Sequence, residues 1–242
     1  MCRHAAYWGP ARPLAGVALE APHSLLVQCE AAREMPWGCD NLDGWGFGWH
    51  EGTREGRRYR SALPMTEDVS GQDLLRGVSS GRFLVHVRQK TPGAATHPTG
   101  SAPFWDGAAT FFAHNGFVPG FHDGVADLLR SRLSPERAAM VEGDADSEVL
   151  FALVLDRLAA GEPPNEAVGV LAELEHELGG RYNVLLMTPD ALVATRCGTT
   201  LYVHRGEGVT VSSEPLDDQA WTPVPDRTVL TVDDGGVREE RW

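Results

Sequence analysis

The chain has 242 residues, 42% hydrophobic and 23% charged, the proportions of an ordinary globular protein with room for one large core. Its formal charge of −13, with a single lysine, Lys90, among 21 basic residues and no basic stripe, excludes a phosphate-backbone partner, so no nucleic acid is expected. No apolar run approaches the roughly 18 residues of a membrane span, the N-terminus lacks the apolar stretch of a signal peptide, and a cytoplasmic protein without membrane contact is expected.

Nothing marks a domain boundary, and one domain over 1–242 is expected, with a homo-oligomer left open. Alternating runs closed by Gly and Asp predict strands at 44–50, 57–63, 82–87 and 109–113. Two helices follow. The first, 146–160, puts Val149, Leu150, Leu153, Val154 and Leu158 on one side and stops at Gly161; the second, 165–178, repeats the design and stops at Gly179. Strands then resume at 182–188, 192–196, 201–205, 209–213, 228–232 and 237–240. Strands, two amphipathic helices and strands again predict an α+β fold of antiparallel sheets covered by helices.

The residues that carry chemistry begin at Met1-Cys2. Removal of one methionine would leave a cysteine with both a thiol and a free α-amine, whose reference pKa values of about 8.5 and 7.7–8.0 let the pair shuttle one proton near neutrality. Asn115-Gly116 in His114-Asn115-Gly116 reads either as a tight hairpin turn after the 109–113 strand or as a pair of oxyanion donors. Arg88, just after a strand, suits a planar carboxylate or a surface ion pair. Asp146 opens a helix as an ordinary N-cap or holds an ammonium. The other cysteines, Cys29, Cys39 and Cys197, and the histidines lack metal-ligand spacing, so no metal is expected.

Asn41-Leu42-Asp43-Gly44-Trp45-Gly46, Arg88-Gln89-Lys90-Thr91, His114-Asn115-Gly116 and Asp146-Ser147-Glu148 follow one another as in the class II, N-terminal-cysteine glutamine amidotransferases, which the chain resembles from end to end. The resemblance implies a four-layer αββα N-terminal nucleophile hydrolase fold, with two stacked, mainly antiparallel sheets and Cys2 at the start of the first strand. It assigns catalysis to Cys2, Asn115 and Gly116, and recognition of an α-amino-acid head to Arg88, Thr91 and Asp146. Trp45 is expected to shape the pocket, and no cofactor is required. Softer segments, Met1-Cys2-Arg3-His4, Ser24-Leu25-Leu26-Val27-Gln28, Ser101-Ala102-Pro103-Phe104 and Ser213-Glu214-Pro215, resemble the branch that cleaves γ-glutamyl-hercynylcysteine S-oxide. The small-molecule substrate implied is thus a γ-glutamyl amide, with an ammonia-supplying glutaminase as the alternative. Trp8, Trp37, Trp45, Trp49 and Trp105 sit near these segments; core packing accounts for most tryptophans, and the sequence does not single out one to meet the trimethylammonium of the leaving group.

Overall fold

The computed structural model describes residues 2–35, 40–52, 54–90 and 96–242. Among these, β1 (Arg3–Pro13) is followed by α1 (Leu25–Ala31), β2 (Trp45–Glu51), β3 (Glu55–Ser61), α2 (Val69–Arg76), β4 (Ser79–Val87), β5 (Phe104–Trp105) and β6 (Phe111–Phe117). The helical middle holds α3 (Val125–Arg130), α4 (Pro135–Ala138), α5 (Asp146–Ala159), α6 (Pro164–Ala167) and α7 (Gly169–Leu178). The chain closes with β7 (Arg181–Met187), β8 (Leu192–Arg196), β9 (Tyr202–Arg205), β10 (Val209–Ser212), β11 (Thr222–Pro223), β12 (Thr228–Asp233) and β13 (Gly236–Arg241).

The strands form two antiparallel sheets, one ordered β11-β9-β10-β1-β4-β2-β3 and the other β13-β12-β8-β7-β6-β5. Side-chain alternation shows how they stack. Trp45, Phe47, Phe83 and Val85 of the first sheet pack with Leu25 and Leu75 of α1 and α2, while Ala6 and Leu84 from its other face join the core shared with the second sheet. The far face of the second sheet is closed by α5 and α7, with Phe112 stacked on Phe151. Helices, sheet, sheet and helices thus make the four αββα layers.

β2 shows how the sequence enforces this stacking. Gly44-Trp45-Gly46-Phe47-Gly48-Trp49 alternates glycine with an aromatic ring, so the rings fill the outer core and the glycines face the second sheet. A Cβ at Gly48 would lie 2.8 Å from the Phe111 ring, and one at Gly46 would lie 2.5 Å from the Ala102 carbonyl oxygen. Larger residues there would hold the layers apart.

The structure departs from the sequence-based expectation in several elements, and it also holds elements that no predicted run marks, α1 and α2 among them. β1 is expected from the resemblance alone, because it holds no β-branched residue to mark it as a run; its pairing with β4 and β10 on both sides makes it a strand. The second predicted helix is broken at Val168 into α6 and α7. The strand expected at 109–113 instead runs from Phe111 to Phe117, with Asn115 opposite Asn183 and Gly116 opposite Tyr182. The hairpin-turn reading of Asn115-Gly116 is therefore wrong: a two-residue turn of that type needs positive φ, which neither residue has.

Candidate active site

Cys2 lies one residue before β1, a central strand of its sheet. Ala6 and Trp8 belong to the intersheet core, so the period of two turns Cys2 and His4 toward the second sheet and Arg3 toward the outer one. The thiol meets the next strand's end, with Sγ 3.4 Å from the Gln89 N–H and 3.5 Å from the Gln89 carbonyl oxygen. Burial pushes its pKa up, outweighing the opposing effects of that N–H and of Arg88. The side chain is therefore a thiol, not a thiolate, near neutral pH.

Arg88 continues β4 and is held by the loop ahead of β2. Its N–H donates to the Gly44 carbonyl at 2.8 Å and its carbonyl accepts from Asp43 N–H at 2.9 Å, while Asp43 also accepts from Lys90 N–H at 3.0 Å. Gly44 has a φ of 121°, a value that suits glycine and lets the loop fold back on Arg88. Gly100 closes the other side, where a Cβ would lie 2.8 Å from the guanidinium.

Across the layer boundary, the His86 ring lies 3.3 Å from the His114 carbonyl oxygen and joins β4 to β6. Burial holds His86 down to about 3, so the ring is neutral and donates through Nε2. The next residues of β6 are Asn115 and Gly116. Phe111, which packs on Gly48 and His50, fixes which side of β6 faces the first sheet, and the same alternation places Asn115 on Cys2's side. The Asn115 amide donates to Thr199 Oγ1 at 3.4 Å, and its Oδ1 has no partner among the described residues.

Asp146 is the first residue of α5, with Ala145 in the cap position and no capping side chain. Its carboxylate reaches across to Val118 N–H at 3.0 Å and accepts from Ser147 N–H at 2.7 Å. The helix N-terminus thus secures the end of β6 and holds a carboxylate at the pocket wall.

Cys2, Arg88, Gly116 and Asp146 line one pocket of about 290 Å³. Asn115 is fully buried beside it, and Thr91 lies outside the described residues. Trp45 is not brought to the pocket. Its indole is fully buried on the opposite face of the first sheet and donates to Asp68 at 2.9 Å, as the glycine–aromatic alternation of β2 dictates. Trp8, Trp49 and Trp105 are likewise absent from the lining, and Trp37 lies outside the described residues. The aromatic wall is made instead by Phe104, Phe117, Phe121 and His122, with Asp123 and Asp144 close by. Sequence reasoning passed over these residues, although Phe117 directly follows Asn115-Gly116 and shares its strand. Among the described residues no three His, Cys, Asp or Glu come together as a metal site, and no helix is long and apolar enough to cross a membrane.

A model of the class II glutamine amidotransferases matches residues 14–208. The chain belongs to that family. It is accordingly an enzyme of amide C–N cleavage. It is 36% identical over 239 residues to the gamma-glutamyl-hercynylcysteine sulfoxide hydrolase of Mycolicibacterium smegmatis, covering 98% of each chain. The protein of that name from Mycobacterium tuberculosis strain CDC 1551 is 33% identical, over 98% of this chain and 95% of the relative. Among solved structures, a glutamine aminotransferase class-II domain protein from Silicibacter pomeroyi superposes with a TM-score of 0.72 at 25% identity, covering 100% of this chain and 99% of that one. The glutamine phosphoribosylpyrophosphate amidotransferase of B. subtilis shares the fold, with a TM-score of 0.71 at 17% identity over 100% of this chain and 49% of its own.

Proposed function

We propose that the chain hydrolyses the γ-glutamyl amide of γ-glutamyl-hercynylcysteine sulfoxide, releasing glutamate and hercynylcysteine sulfoxide through a thioester on Cys2. The observation that carries this reading is the convergence of Cys2, Arg88, Gly116 and Asp146 on one pocket. The identity of the mycobacterial hydrolases over nearly the whole chain supports the choice of substrate.

In this reading Met1 is removed and the α-amine of Cys2 takes the thiol proton, a transfer that the raised thiol pKa makes necessary. The thiolate attacks the γ-carbonyl carbon. The oxyanion is met by the Gly116 N–H and the Asn115 amide, and the proton held by the amine passes to the departing nitrogen. Water then attacks the thioester along the same route and frees glutamate. Arg88 grips the α-carboxylate of the glutamyl head and Asp146 its α-ammonium, so two opposite charges set the register of the scissile bond at the other end. Phe104, Phe117, Phe121 and His122 give the pocket the aromatic faces that attract a trimethylammonium.

The test is a comparison of kcat/KM for the conjugate and for free glutamine. A remote group used for positioning should give the conjugate an advantage of at least about 10³. Equal values would leave an amidohydrolase of another substrate.

A further inference from the structure

The first residue of a strand frays unless it is tied down, and on the reading above Cys2 is the first residue of the mature chain. Behind it the structure buries an ionic knot. Arg3, fully buried on the outer face of β1, has Nη1 3.3 Å from Glu214 Oε1, and its guanidinium makes no hydrogen bond among the described residues. Glu214 is also fully buried. It lies 2.7 Å from His23 Nε2 and accepts from the Arg33 N–H at 2.8 Å and the Glu34 N–H at 3.0 Å.

The neighbouring Ser213 ties into the same place from the backbone. Its Oγ accepts from His4 N–H at 3.0 Å, and its own N–H donates to the His4 carbonyl at 2.9 Å. Gln28 extends the knot by donating to the His23 carbonyl at 2.8 Å. Segments far apart in sequence, 3–4, 23–34 and 213–214, therefore meet directly behind the nucleophile. Neither Arg3 nor Glu214 lines the pocket. An Arg–Glu ion pair in itself adds little stability over apolar side chains of the same volume, but Glu214 also meets His23 and the Arg33 and Glu34 N–H groups, and so holds this corner of the fold in one geometry.

We propose that Glu214, acting through Arg3, is a positioning residue that fixes the backbone at Cys2 and so aims its thiol and α-amine at the pocket. This rests on Cys2 being the nucleophile. Three variants test it: Glu214→Gln, the paired Arg3→Met/Glu214→Leu, which replaces the ions by apolar packing, and Glu214→Asp. Each is compared with wild type at a temperature where circular dichroism shows it folded, by kcat and KM on γ-glutamyl-hercynylcysteine sulfoxide and by iodoacetamide alkylation of the Cys2 peptide read by mass spectrometry.

In Glu214→Gln, kcat should fall by about 10², the cost of a misplacement near 1 Å, with KM little changed. Alkylation of Cys2 should quicken as the thiol leaves its half-buried place against Gln89. The paired variant, which leaves His23 Nε2 and the Arg33 and Glu34 N–H groups without their acceptor, should stay less thermally stable than wild type and should not regain kcat, and Glu214→Asp should recover part of it. Wild-type kcat and alkylation in the paired variant would overturn the proposal and leave the knot a role in folding alone. If wild type fails to turn over the conjugate, the reading of the reaction falls, and the alkylation rates still decide whether Glu214 positions Cys2.

Discussion

Replacing Gly116 by alanine tests together its packing against β7 and the oxyanion role proposed for its N–H. A Cβ there would overlap the Arg181 carbonyl oxygen of the paired strand and sit 2.5 Å from His114 Nε2, which itself contacts that oxygen at 2.8 Å. One methyl therefore strikes both the β6–β7 ladder and the His114–Arg181 hydrogen bond. Overpacking of this kind costs about 1–3 kcal/mol, and the weakened hydrogen bond adds about 1 kcal/mol. The sum of roughly 2–4 kcal/mol should lower Tm by roughly 4–16 °C in a chain of this size, read by calorimetry or circular dichroism. Parting the strands also moves the Gly116 N–H, and losing one oxyanion donor lowers kcat by about 10² to 10³. Both losses should appear in the folded variant at reduced temperature. Wild-type Tm would refute the packing argument, and a lowered Tm with unchanged kcat would remove Gly116 from the oxyanion site.

Trp45→Phe should leave kcat/KM on γ-glutamyl substrates unchanged and cost about 2–4 kcal/mol of stability in urea titrations, because it removes the indole bond to Asp68 and leaves a cavity where part of the fully buried ring system stood; a large rise in KM would return the indole to the pocket. Asp146→Asn should cost about 2–5 kcal/mol in kcat/KM toward substrates with an α-ammonium, and little toward an analogue lacking it; equal losses for both would make the carboxylate a brace for Val118 alone. His86, held down to about 3 by burial, refuses a proton that the unfolded chain accepts near 6.5. Its contribution to stability is therefore complete above that value and falls as pH drops toward 3, by up to about 1.4 kcal/mol per unit. In His86→Gln, whose amide still reaches the His114 carbonyl, the denaturation midpoint should change less between pH 6 and 4; an unaltered slope would contradict this.

The layers of the fold were legible because alternation and helical periodicity are local signals: β8 has its predicted bounds, and α5 ends one residue short of them. β1 was legible only through the resemblance, since Arg3-His4-Ala5-Ala6 has little strand preference and is held by its neighbours. The same limit governs the site. Arg88 and Asp146 were visible as charged residues at the ends of regular elements, and the structure lines one pocket with both. Trp45 was misplaced because a motif neighbour in sequence is, on a strand, a residue of the opposite face. Phe117 was missed because nothing local extends β6 beyond what resembled a turn, and Phe121 because it lies in the short turn after that strand, where no periodic signal marks it. Glu214 could not be connected with Arg3 at all, being 211 positions away.

The measurement that most directly tests the account is rapid-quench mass spectrometry of the N-terminal peptide during turnover of γ-glutamyl-hercynylcysteine sulfoxide. The account predicts a peptide that begins at Cys2 and carries one glutamyl group, formed as hercynylcysteine sulfoxide is released. A fully active protein whose N-terminal peptide keeps Met1, or never carries the glutamyl group, would contradict it.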